Sequence, residues 1–286
     1  TSLDVSNNTA LTNLVCGENQ LTSLDVSQNT TLTWLLCSGN QLTSLDVSQN
    51  TALTSLGCGA NQLTTLDVSG NPSLESLECS FNQLTTLDVS QNTALTSLSC
   101  ESNQLTTLDV SGATALTLLY CDNNQLTNLE IINTGIVNSG NFHFDFNPLT
   151  SVNFSNNPNL VSLFVDLYPS GSVVASSIKV NNNSSLYEIK ISTNIDSLDV
   201  SNNLALWKLD CSYGQLTSLD VSTNTALTNL NCEGNQLTSL GVSNNTALTN
   251  LVCGENQLTS LDVSQNTALT YLGCSSNYIE CLDLST

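Results

Sequence analysis

Ten of the eleven cysteines in this chain stand in two blocks, at positions 16, 37, 58, 79, 100 and 121 and at 211, 232, 253 and 274, always 21 residues apart within a block. A fixed period this short excludes an ordinary globular domain. Each unit is too small to bury an apolar face alone, so successive units must stack as a solenoid. Within one period apolar residues fall at Leu42, Leu45 and Val47 and again at Leu53, Leu56 and Cys58, the same pattern written twice. Each half closes on an asparagine, Asn50 or Asn61, whose side chain can bond the backbone in a turn. Every coil is therefore expected to hold two short extended segments and two turns. Strand residues alternate faces, so Leu56 and Cys58 should point inward while Ser55, Gly57 and Gly59 point outward. Stacked about 4.8 Å apart, the thiols form an interior column spaced too widely for disulfides, whose Cβ atoms lie about 3.8 Å apart. No base or convergent ligand set accompanies the column, so it reads as packing. Cys281 is out of phase, in a column elsewhere filled by outward serine or threonine, which makes it a candidate reactive or cross-linking thiol.

The formal net charge is −21, with Lys179, Lys190 and Lys208 the only basic residues besides one histidine. Such a field repels phosphate, which argues against nucleic acid and anionic membrane surfaces as partners. No run reaches the length of an apolar membrane span, so direct membrane insertion is not expected, and the N-terminus lacks the features of a signal peptide. Both chain ends fall inside a repeat, as expected of a segment from a longer polypeptide.

The pattern L-x-x-L-x-C-x-x-N-x-L, seen from Leu53 to Leu63, resembles the leucine-rich repeat, and its 21-residue cysteine form with "LDVS" resembles that of internalin J and related bacterial surface proteins. The resemblance covers the chain outside residues 126–194. It implies a curved, mainly β solenoid, export to the cell surface, and binding or adhesion rather than catalysis. The expected fold is one leucine-rich-repeat solenoid over 1–286, with 13–14 coils and two parallel sheets. Coils are regular over 1–125 and 195–286, and slightly irregular over 126–194 with a loop at 166–177.

Between Cys121 and Cys211 the repeat threads through coils of 23, 21, 26 and 20 residues, with Phe144, Val165 and Ile191 in place of the cysteine. Phe142, Phe144 and Phe154 should point inward. Residues 120–213 hold ten of the fourteen aromatics, all three lysines and the histidine, so composition shifts where the ladder breaks. On the outward positions of the cysteine-bearing strand, this stretch places a varied set where other coils repeat themselves. The candidate ligand-binding patch is Tyr120, Asp122, His143, Asp145, Phe164, Asp166, Lys190, Lys208, Asp210 and Tyr213, because exposed aromatics among charges make good anchors. His143 alone reads as a surface histidine. With Asp122, Asp145 and Asp166 it could bind a metal, although no resident metal is assigned.

The opposite segment carries a second column, Asp4, Asp25, Asp46, Asp67, Asp88, Asp109, Glu130, Asn153, Lys179, Asp199, Asp220, Gly241, Asp262 and Asp283. Neighbouring carboxylates at this spacing repel, so they need hydrogen bonds from adjacent hydroxyls and amides, screening by salt, or bridging by calcium, the one cofactor the sequence suggests. No phosphate loop, Cys-x-x-Cys pair or nucleophile motif is present, and an enzyme is not expected. The function expected is an extracellular recognition or adhesion module on a bacterial cell surface. It would be a monomer and bind a host or neighbouring-cell protein or glycan. The alternative is a spacer rod of ~60 Å without a ligand of its own.

Overall fold

The computed structural model describes residues 2–166, 176–280 and 282–283. No α-helix occurs among them, and the strands are short and parallel. The chain divides into two compact units, Thr1–Ile136 with Gly140–Pro148, and Val137–Ser139 with Leu149–Thr286. The break falls inside the stretch 126–194 where the cysteine column is interrupted.

In the first unit, the cysteine-bearing segments form one seven-stranded parallel sheet: Asn13–Val15, Trp34–Leu36, Ser55–Gly57, Ser76–Glu78, Ser97–Ser99, Leu118–Tyr120 and Phe142–His143. The register repeats the sequence period, Leu35 facing Leu56, Leu56 facing Leu77 and Leu77 facing Leu98. The second unit carries a six-stranded counterpart of Ser162–Asp166, Glu188–Ser192, Lys208–Asp210, Asn229–Asn231, Asn250–Val252 and Tyr271–Gly273. Its register holds through the coils of unequal length, Ile189 facing both Leu163 and Leu209.

The core follows from alternation. Leu56 and Cys58 are buried, as are Leu42, Val47 and Leu53 on the other three sides of the coil. Each such leucine contributes on the order of 1.5–3 kcal/mol by leaving water. Phe144, Val165 and Ile191 occupy the buried place of the cysteine, and Phe142 and Phe154 also point inward. Ten cysteines are unpaired, nine of them buried. Burial pushes their thiols up, to about 12 at Cys37 and well above the ordinary value at Cys58, Cys79 and Cys100.

Two asparagine ladders close the coils. The amide of Asn82 donates to the carbonyls of Cys58, Cys79 and Ser80, and its oxygen accepts the N–H of Leu63 at 2.9 Å. One side chain thus joins its own coil to the one before. The second ladder is less complete. Asn71 donates to Val47 and Asn50 of the preceding coil, but its Oδ1 is buried without a partner, as are those of Asn50, Asn92 and Asn224. Just before the first ladder's asparagine, most coils place a residue in the left-handed region, Ala60 at φ 50° and Phe81 at 52°, with glycine at 39 and 234. This turn brings the asparagine amide back under its own strand.

Of the two parallel sheets expected, the second is present in short pieces. In the first unit it is reduced to the pair Ser2–Asp4 with Ser23–Asp25, the short strand Asn128–Glu130 and bridges such as Asp88 to Asp109. In the second it comprises Ser151–Asn153 with Ser177–Lys179, and Leu261–Asp262 with Leu282–Asp283. The aspartate of "LDVS" accepts the N–H of the serine two residues on, 2.9 Å for Asp46 and Ser48, and this local turn competes with the ladder straight after the aspartate. The loop expected at 166–177 lies, for residues 167–175, outside the described residues, and so does Cys281.

Candidate functional site

The outward face of the cysteine-bearing strands exposes single large side chains such as Val15, Trp34 and Tyr271 over the regular coils and gathers aromatic and charged residues in two places, one in each unit. In the first unit, Leu118–Tyr120 pairs with Phe142–His143, setting His143 beside Tyr120 with ring centres 4.8 Å apart and planes tilted by 60°. The adjoining turns hold Asp122 and Asp145. The N–H of Asp145 donates to Oδ1 of Asp122 at 2.8 Å, and one donor atom from each of Asp122, His143 and Asp145 lies within 4.8 Å of the others. Asp122 is half-buried, and that burial is the main cause holding its carboxyl above the usual range. The charge of Asp145 adds to this, while the N–H of Asp145 and His143 oppose it.

Four of the residues expected at the patch therefore come together in the first unit. In the second unit, Phe164, Lys190 and Asp210 form one row across three strands. Lys208 is ion-paired with Glu188 at 2.6 Å, and Asp210 is held by the Ser212 hydroxyl at 2.7 Å. Tyr213 sits at the strand ends with φ 57°. Its hydroxyl donates to Glu233 at 3.2 Å, and its ring lies where a Cβ on Gly234 would stand. Asp166 pairs through its backbone with Ser192, and its side chain lies outside the described residues.

Three features escaped the sequence reading. Tyr187 and Trp207, each 39% exposed, stack with centres 6.3 Å apart and planes 17° apart, next to the Glu188–Lys208 pair. Their column is mostly threonine, with Glu75 and Val161 as further exceptions, and the threonines form a hydroxyl ladder: Thr54 donates to the carbonyl of Thr33, Thr117 to Thr96, and Thr249 to Thr228. A break in that column by two successive aromatics was a readable signal. The third is Glu78, whose carboxylate leans back over Gly59 and accepts the Gly59 N–H and the Ser38 hydroxyl, each at 3.1 Å. A Cβ at position 59 would collide with it, and Gly57 and Gly59, expected to face solvent, are covered.

The aspartate column keeps its carboxylates exposed and separately satisfied. Asp46 is held below the usual range by the Ser48 N–H and then the Ser48 hydroxyl, against smaller opposing effects of desolvation and of Asp25 and Asp67. Local hydrogen bonding therefore outweighs the mutual repulsion. Among the described residues, no helix is long and apolar enough to cross a membrane.

No protein-family model matches the chain, and no curated protein sequence does. Among solved structures, the functional domain of InlJ from Listeria monocytogenes, which includes a cysteine ladder, is 32% identical over 94% of this chain, with a TM-score of 0.45; this chain spans 64% of that one. The leucine-rich repeat domain of APL1B is 19% identical over 98% of this chain and 83% of its own length, with a TM-score of 0.61. The Toll–Spätzle complex of Drosophila is 20% identical over 91% of this chain and 38% of its own, with a TM-score of 0.56. The last two show the fold.

Proposed function

We propose that this leucine-rich-repeat solenoid, built of 21-residue cysteine-containing coils, is a recognition module that binds a protein partner through the strand face of its second unit. The observation that carries the reading is the Tyr187–Trp207 stack. A structural coil gains more from the threonine bond it would otherwise make to the preceding carbonyl, as Thr228 does to Trp207 at 3.2 Å, than from two exposed rings. Aromatic side chains bury large area at low entropic cost, and here they adjoin both signs of charge, Glu188 with Lys208 and Lys190 with Asp210. Mixed charge beside an aromatic anchor suits a protein surface more than a neutral sugar. The module would act outside the cell, on a bacterial surface, as the resemblance of its repeat implies, and by binding rather than by catalysis.

The test is a protein and glycan binding array, run with the whole chain with and without calcium, followed by Tyr187→Ala with Trp207→Ala on any hit. The reading expects a protein ligand whose affinity falls at least about tenfold in the double variant, as for loss of central anchors. A sugar ligand lost in the same variant would replace the partner class. Binding unchanged by the double variant, or absent altogether, would leave the spacer reading.

A further inference from the structure

We infer that Asp122, His143 and Asp145 of the first unit form a binding site for a divalent first-row transition cation, zinc in the first instance. The inference does not depend on the recognition face of the second unit.

The three donor atoms lie within 4.8 Å of one another at the ends of adjacent strands. No direct ion pair joins His143 to either carboxylate; among the described residues the one ion pair is Lys208–Glu188. The donor atoms therefore converge without a direct ion pair between them. Four ligands at about 2.1 Å from a tetrahedral ion stand about 3.4 Å apart, which the exposed ends of His143 and Asp145 can reach by small rotations. Imidazole beside two carboxylates favours zinc and its neighbours over calcium or magnesium, which take oxygen almost exclusively.

Two further observations point to a cation. The first unit has no lysine or arginine, so its own residues offer Asp122 and Asp145 no ammonium or guanidinium partner. One coil earlier in the same row, Glu101 keeps Oε2 buried with no hydrogen-bond partner. The ligands also have the outer supports such sites use. The Asp145 N–H fixes the Asp122 carboxylate at 2.8 Å, leaving its second oxygen for the ion, and the Tyr120 ring holds the plane of His143.

His143 is the only histidine in the chain, so its imidazole signals in NMR report on the site alone. The experiment titrates the whole reduced chain with zinc, followed by calorimetry and by those signals, and repeats it with cobalt for its visible spectrum. The expected result is one ion per chain, shifted imidazole signals, a cobalt spectrum without a thiolate charge-transfer band, and no competition from equal calcium. His143→Ala and Asp145→Asn, both exposed positions, should each weaken zinc by at least the roughly 10- to 100-fold that losing even an outer partner costs. Their thermal midpoints without metal should match the parent chain. No binding, an affinity unchanged in His143→Ala, a thiolate band, or equal competition by calcium would each overturn the site.

Discussion

The side-chain amide of Asn82 donates to the carbonyl of Cys58, 24 residues upstream and in the preceding coil, at 3.1 Å. With the Leu63 N–H on its oxygen and two more carbonyls on its nitrogen, this side chain satisfies backbone groups of both coils. Asn71, equally enclosed, wastes its oxygen. Replacing Asn82 by alanine strands buried backbone groups from two coils and should cost about 2–4 kcal/mol. Asn71→Ala removes a buried unpaired acceptor along with its two bonds and should cost about 1–2 kcal/mol less. Urea unfolding of the two variants side by side measures the difference, and equal losses would contradict it.

The thiol column makes stability fall in alkali. An unfolded chain loses thiol protons near pH 8.5, whereas the folded chain holds those of Cys37 and Cys253 to about 12, and burial pushes those of Cys58, Cys79 and Cys100 well above the ordinary value. The folded values are raised, so this stability is fully present below about pH 8.5 and is lost as pH rises toward the folded values. At pH 10 each deeply buried thiol removes about 2 kcal/mol relative to pH 7. Denaturation midpoints between pH 7 and pH 10 should fall steeply, and a thiol reagent should react with these cysteines only as the chain unfolds.

The aspartate column acts at the other end of the pH scale. Asp25, Asp46 and Asp88 are each held below the ordinary value, first by the N–H of the serine two residues on and then by its hydroxyl. Depressed folded values confer stability above about pH 4 that disappears as pH drops through them, so acid unfolding should be cooperative below pH 4. Salt should raise the thermal midpoint at pH 7 by screening the column. Calcium should do no more than sodium chloride at equal ionic strength, since each aspartate already has a local donor; a larger calcium effect would mean that ions bridge the column.

Glu78 and Gly59 supply a fourth test. A Cβ at position 59 would meet the Glu78 carboxylate, the movable end of a flexible side chain. Gly59→Ala should therefore cost no more than about 1–1.5 kcal/mol, the worth of the bonds from Gly59 and Ser38, and Gly59→Ala combined with Glu78→Ala should cost little beyond Glu78→Ala alone. Additive losses in the double variant would show that the glycine serves the backbone instead.

The fold was legible because buried positions repeat from coil to coil: the alternation that sends Leu56 and Cys58 inward also sends Phe142 and Phe144 inward where the spacing changes. His143 could be set beside Asp122 and Asp145 by counting columns. Trp207 and Tyr187 were not found that way, because they stand just before the strands Lys208–Asp210 and Glu188–Ser192, outside the outward positions read along the strand. The lean of Glu78 across Gly59 depends on side-chain torsions that a period does not encode. The thinning of the second sheet arises from competition between a serine N–H's two possible acceptors, the Asp46 carboxylate in the case of Ser48 or a neighbouring strand.

The amide of Asn82 takes its acceptors 24 and 3 residues upstream, and so do those of Asn40, Asn103, Asn235 and Asn256. Such a rule of assembly refers only to the immediate neighbour and carries no information about total number. Duplicating or deleting a whole regular coil in frame would leave each of these asparagine joints intact, so none of them sets the length of the stack.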